Sequence, residues 1–114
     1  MVCTMELAKR QCAPCRADTP RLRGDALAAV AAELGGGWEL EGEERLRKSF
    51  RFPDFVTALA FVNRIAEIAE REQHHPDILL RWGAVTLLIW THAIGGLSEN
   101  DFVLAAKIEE LAAA

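Results

Sequence analysis

The chain has 114 residues, with 13 Lys and Arg against 17 Asp and Glu, a net charge of −4, and 51% hydrophobic residues. That composition fits one globular domain with a sizeable core, and its acidic balance argues against nucleic acid or an anionic membrane surface as partner. No apolar run approaches a membrane span and the N-terminus lacks the apolar core of a signal peptide, so the default expectation is a cytoplasmic protein.

Residues 1–21 mix Cys, Pro, Arg and Thr without a sustained period and read as an irregular arm on the surface of a domain spanning 22–114. All three cysteines (Cys3, Cys12 and Cys15) fall in this arm. An odd number at one end is not a disulfide framework. Cys12-Ala-Pro-Cys15 has the CxxC spacing, but no second pair exists to complete a four-ligand zinc site, and the motif does not open a helix from a strand. The arm is expected to carry exposed, reduced thiols.

A helix is predicted from Gly24-Asp25, with Leu27, Val30, Ala31 and Leu34 as its apolar stripe and Gly35-Gly36-Gly37 as its end. Two alternating runs, Trp38–Glu41 and Arg45–Phe52, then read as an antiparallel hairpin turned by Gly42, in which Lys48 breaks an otherwise apolar face. Asp54 is a plausible N-cap for the longest helix, running from Phe55 to about His74. Its apolar residues form two stripes, Phe55-Leu59-Val62-Ala66-Ala69 and Ala58-Phe61-Ile65-Ile68, an arc wide enough for burial on two sides. Pro76 stops this helix.

Strands at Ile78–Trp82 and Val85–Thr91 follow, the second apolar on both faces and therefore central or covered by another subunit. Ser98-Glu-Asn-Asp101 is a capping-box-like start for a last helix with Leu104, Ile108 and Leu111 inward, Asp101 being its capping carboxylate. The order α-β-β-α-β-β-α predicts an α+β two-layer sandwich, a four-stranded antiparallel sheet with three helices packed on one face.

All three histidines fall between positions 74 and 92, in the stretch that begins Glu70-Arg-Glu-Gln-His74-His75-Pro76. Glu70 and His74 are four apart on the predicted helix, which puts them on one face within pairing reach. The negative end of a helix favours a protonated imidazole, and histidines of unlike environment in one cleft suit acid–base elimination. On residue types alone a metal site is equally open: three histidines, or two and a glutamate, would use the same atoms. Adjacent His74 and His75 are poorly placed as two ligands of one metal on a regular helix, because their side chains diverge by about 100°. Trp82 and Trp90 read by themselves as core or interface residues.

The segment Glu70-x3-His74-His75-Pro76-x5-Trp82-x9-His92-x8-Asp101 resembles the signature of the pterin-4a-carbinolamine dehydratases. Gly37-Trp38, Phe50-x-Phe52, Thr91-His92 and Gly96-Leu97-Ser98 extend the match, which covers Leu22 to about Leu111. The resemblance implies the same α+β fold and dehydration of 4a-hydroxytetrahydropterin to the quinonoid dihydropterin. That reaction recycles the pterin of aromatic amino acid hydroxylases without metal or organic cofactor.

By motif position the resemblance makes His74 and His92 the acid–base pair. It makes His75 a substrate-polarising residue, Glu70 a tuning residue, Pro76 and Trp82 pocket walls, and Asp101 a helix cap beside the pocket. Ile78 stands where some members carry an aromatic, and the cysteine-bearing arm lies outside the matched part. The resemblance further implies a homodimer or homotetramer. It also leaves a rival role, a non-catalytic binding, assembly or coactivator module, because family members in animals partner a transcription factor and bacterial relatives assist assembly of a carbon-fixing enzyme.

Overall fold

The computed structural model of the chain describes residues 7–10, 12 and 19–113. Helix α1 (Gly24–Leu34) is followed by strands β1 (Glu39–Glu41) and β2 (Arg45–Arg51), helix α2 (Phe55–Glu72), strands β3 (Asp77–Arg81) and β4 (Ala84–Ile89), a short 3-10 turn at His92–Ile94, and helix α3 (Glu99–Ala113). This is the α-β-β-α-β-β-α order expected from periodicity. The strands form one antiparallel sheet in the order β1-β2-β4-β3. The central position of β4 accounts for its having apolar residues on both faces.

Strand pairing sets Leu46 opposite Ile89, Phe50 opposite Val85, and Leu80 opposite Val85 from the other side. The face these residues share joins Phe61, Ile65, Ile68, Phe102, Leu104 and Ile108 in one core. Each fully buried large side chain there contributes about 1.5–3 kcal/mol of transfer free energy. The opposite face is wet, with Arg45 and Arg47 paired to Glu41 and Glu39 at 3.4–3.8 Å.

Lys48, the cation that interrupts the inner face, is accounted for by α3. Its ammonium bonds to Glu109 and to the Gly36 carbonyl. It also lies 4.6 Å from the centroid of the Phe50 ring, while Trp38 Nε1 donates to the same Glu109 at 2.9 Å. The charge is thus half-buried together with its partner.

Three differences from the sequence reading bear on the site. First, α2 stops at Glu72: Gln73 adopts the left-handed conformation (φ 55°, ψ 40°), and the N–H groups of Gln73 and His74 both return to the Ala69 carbonyl. His74 and His75 therefore stand outside the helix, three residues ahead of where proline alone would end it. Second, of the two apolar stripes on α2, Ala58-Phe61-Ile65-Ile68 is buried with Ala69, whereas Phe55 and Leu59 face outward with Val56, which is 75% exposed.

Third, the expected surface arm contributes to the core. Leu7 is 0% exposed, Lys107 donates to the Ala8 carbonyl, Arg10 pairs with Glu99 at 2.6 Å, and the half-buried Cys12 donates its N–H to Glu72 at 2.9 Å. One leucine in an aperiodic stretch gives no pattern from which burial could be read. Cys3 and Cys15, and with them the CxxC as a unit, lie outside the described residues.

Candidate active site

The antiparallel pairing of β3 with β4 brings the candidate residues together. Asp77 lies opposite Leu88, so His74, His75 and Pro76, entering β3, meet Trp90 and His92, leaving β4. The three histidines, with Gln73, Trp90 and Ala93, line one open cleft of about 170 Å³. The convergence expected of residues 74, 75 and 92 is present, although His92 begins the 3-10 turn and is not on the strand itself.

Each imidazole is held differently. The left-handed Gln73 swings His74 inward, where it is 6% exposed, and its Nε2 lies 2.6 Å from Asp101 Oδ1. Asp101 is 0% exposed. Its other oxygen, Oδ2, accepts from the Thr91 hydroxyl and from the Ser98 backbone N–H, both at 2.8 Å. Thr91 gives its only proton to Asp101, so Ser98 is the donor in the 2.7 Å contact between the two hydroxyls. Thr91 and Ser98 thus fix the carboxylate, and the carboxylate places the His74 proton on Nε2, which makes Nδ1 the basic nitrogen of the neutral ring.

His75 points the other way. Its Nε2 lies 2.5 Å from Glu70 Oε2, with side-chain exposures of 54% and 74%. The His92 ring meets the Trp90 ring edge-on, 4.3 Å between centroids and 75° between planes. Arg45 covers Trp90 at 5.3 Å.

Four sequence expectations change here. Glu70 pairs with His75 and not with His74, because the helical i, i+4 geometry ends before residue 74. Asp101 is the cap it was read as, bonding Ser98, but it is buried and so cannot touch a substrate directly; its contact toward the cleft is with His74. Trp82 is not in the cleft. It sits in the β3–β4 turn, 69% exposed, beyond the far end of β3 and roughly 16 Å of extended chain from the histidines. Pro76 is half-buried ahead of β3 and does not line the cleft.

The wall residue that sequence reasoning missed is Trp90. Period-2 alternation, which puts Leu88, Trp90 and His92 on one face of the run, is the signal that could have found it. Among the described residues no three His, Cys, Asp or Glu side chains converge as metal ligands. The imidazoles of His74 and His75 are instead each directed at a carboxylate.

An α+β sandwich with a histidine-lined cleft and a buried Asp–His pair has the groups that acid–base chemistry or small-molecule binding needs. Comparison makes the class specific. The family model described as pterin 4 alpha carbinolamine dehydratase matches residues 20–111.

A Rubrobacter xylanophilus protein is 49% identical over 106 residues, covering 93% of this chain and 98% of that one. A Rickettsia canadensis protein is 47% identical over 103 residues, covering 90% and 94%. Both carry the name "putative pterin-4-alpha-carbinolamine dehydratase".

Among solved structures, a transcriptional coactivator/pterin dehydratase from Brucella melitensis superposes with a TM-score of 0.75 at 32% identity, over 82% of this chain and 99% of that one. A pterin dehydratase-like protein identified as a RuBisCO assembly factor of the α-carboxysome superposes with a TM-score of 0.59 at 25% identity, over 68% and 90%. The chain belongs to the pterin-4a-carbinolamine dehydratase family.

Proposed function

We propose that the chain dehydrates 4a-hydroxytetrahydropterin to the quinonoid dihydropterin, recycling a hydroxylase cofactor in the cytoplasm without metal or organic cofactor of its own. The observation that carries this reading is the meeting of three imidazoles on one small cleft, one of them fixed by a buried carboxylate. The substrate is a compact fused heterocycle, and Trp90 beside His92 offers one of its faces an aromatic wall.

In the reaction a protonated imidazole gives its proton to the departing 4a-hydroxyl, which leaves as water. The N5–H bond supplies the electrons of the new C4a=N5 bond, and a neutral imidazole takes the N5 proton. His74 and His92 are the acid–base pair. His75, backed by Glu70, binds and polarises the ring. Asp101 acts from behind, keeping His74 in one tautomer and orientation.

The test is turnover of chemically generated 4a-hydroxytetrahydropterin. Wild type accelerates it and His74→Ala does not; no acceleration by the wild type sinks the reading. The second reading, a non-catalytic binding or assembly module, draws on the names of the two structural neighbours. It predicts normal partner binding by a His74→Ala protein.

The exposed apolar stripe of α2 (Phe55, Val56, Leu59), together with Ile78 and Leu79 on the edge strand β3, supports assembly into a homodimer or homotetramer. Light scattering is expected to give a multiple of the chain mass, reduced by Val56→Glu with Leu59→Glu. A strict wild-type monomer refutes the assembly.

A further inference from the structure

We propose that Arg21 is a positioning residue for His92, acting as a cover on the loop that carries it. The kinetic side of this proposal rests on the dehydratase reading, whereas its structural side does not. His92 is exposed, and the loop from Thr91 to Ser98 fixes its position.

The base of that loop is the bridge between Thr91 and Gly96. Thr91 N–H donates to the Gly96 carbonyl at 2.8 Å, but the return bond from Gly96 N–H to the Thr91 carbonyl is 3.4 Å. Inside the loop, Ile94 N–H donates to the Thr91 carbonyl and Gly95 N–H to the His92 carbonyl, both at 3.2 Å, so the return bond of the bridge is the longest of the four.

Arg21 adds a constraint from outside the loop. Leu22 N–H donates to the Leu97 carbonyl at 2.7 Å, which draws residues 21–22 alongside 96–97. The Arg21 side chain then lies directly over Gly96. A methyl group added there would stand 2.2 Å from Arg21 Nε, 2.5 Å from Cζ and 2.8 Å from Cδ. Gly96 does not have a positive φ, so its backbone would accept alanine; it is the guanidinium that occupies the space.

Arg21 Nε is buried with no hydrogen-bond partner, and no ion pair ties the side chain to a carboxylate among the described residues. With that one nitrogen out of water and no carboxylate to hold it, the half-buried side chain works here through its flat face and its methylene stem. What those press on is Gly96, one half of the Thr91–Gly96 bridge. Thr91 is also the residue that donates to Asp101, so the cover stabilises the base of both His92 and the His74 support.

The experiment compares the full-length wild type with Arg21→Ala, Arg21→Lys, Gly96→Ala and the Arg21→Ala/Gly96→Ala double variant. The readouts are kcat, KM and the His92 ring-proton NMR resonance. Misplacing a reacting group by about 1 Å can cost about 100-fold. A loosened loop that still samples the right geometry is therefore expected to lower kcat by about tenfold in each alanine variant, with KM changed less than about twofold.

The double variant is expected to be no worse than the poorer single one, since both remove the same contact. Arg21→Lys, which keeps the stem but loses the plane, falls between wild type and Arg21→Ala. The His92 resonance broadens in every variant whose kcat falls. An unchanged kcat and resonance in Arg21→Ala, or losses that multiply in the double variant, overturn the proposal. Should Arg21→Ala not fold, Gly96→Ala and Arg21→Lys decide in its place. Should the wild type show no turnover, the dehydratase reading fails and the resonance alone decides the role of Arg21.

Discussion

Two imidazole–carboxylate pairs lie on adjacent residues of this protein, at nearly the same length and in opposite surroundings. His74 meets Asp101 at 2.6 Å with side-chain exposures of 7% and 0%, whereas His75 meets Glu70 at 2.5 Å with exposures of 54% and 74%. Contact distance therefore says little about what either pair does. The inner pair has its carboxylate immobilised by Thr91 and Ser98, so its geometry is imposed from outside the pair. The outer pair joins two solvated side chains and competes with water and salt. A fixed imidazole and an adaptable one are thus built from the same two residue types.

The largest expected effects come from breaking the inner pair. His74→Ala should lower kcat by about 10²–10⁴-fold, the usual range for one acid–base group. Asp101→Ala leaves the Ser98 N–H, the Thr91 hydroxyl and the His74 ring without their shared acceptor. Removing one partner of a buried pair costs about 3–5 kcal/mol of stability. Asp101→Asn keeps the volume but offers an amide where a second acceptor oxygen was, and should lower kcat by about 10²-fold or more while retaining the fold. Steady-state kinetics with thermal unfolding on each variant separates the two effects. Full activity in a folded Asp101→Asn protein would end the claim that the carboxylate orients His74.

His92 sharpens the comparison, because it faces the same cleft with no carboxylate paired to it among the described residues; its ring neighbour is Trp90. His92→Ala is expected to lose about 10²-fold in kcat with an unfolding midpoint close to wild type, since an exposed side chain supports little of the core. A loss of stability equal to that of Asp101→Ala would show His92 to be structural.

The fold was legible in sequence because its cues are local and periodic. Alternation at Arg45–Phe52, the stripe at Ala58-Phe61-Ile65-Ile68 and the Ser98-to-Asp101 cap each name an element from a few neighbouring residues. The membership of the cleft was legible for the three histidines, which cluster between positions 74 and 92, but their pairing was not.

One left-handed residue, Gln73, decides whether Glu70 faces residue 74 or residue 75, and glutamine carries no strong signal for that conformation. The link from Asp101 to His74 crosses 27 positions and depends on how α3 docks against the end of α2. Trp82 was misplaced for the converse reason: a conspicuous spacing to the motif says nothing about which end of a hairpin a residue occupies. Lys48 looked like a flaw in a strand until Glu109 was brought to it from the last helix.

The outer pair should give a smaller effect. Glu70→Gln removes a solvated charge from His75 and is expected to change stability by no more than about 1 kcal/mol. It should raise KM severalfold with little change in kcat, as befits a contact made equally to substrate and transition state. Raising ionic strength should move the wild type toward the variant, because salt screens an exposed pair. A kcat loss as large as that of Asp101→Asn would abolish the distinction between the two pairs.

The smallest effect belongs to a third carboxylate, at the other end of α2. Asp54 is fully exposed and has no imidazole. Hydrogen bonds from Thr57, its side chain first and its backbone N–H second, hold the Asp54 carboxyl below the usual carboxylate range. The backbone N–H lies 2.8 Å from Asp54 Oδ1. A carboxylate whose folded pKa is depressed stabilises the fold above its unfolded value, about 3.9, and that contribution is lost as pH falls through the folded value. The difference in unfolding midpoint between wild type and Asp54→Ala should therefore be small but constant above about pH 5 and should shrink below about pH 4. A gap that widens on acidification would mean that Asp54 is held by its neutral form, contrary to its role as the acceptor that starts the helix ending at Gln73 and the histidines.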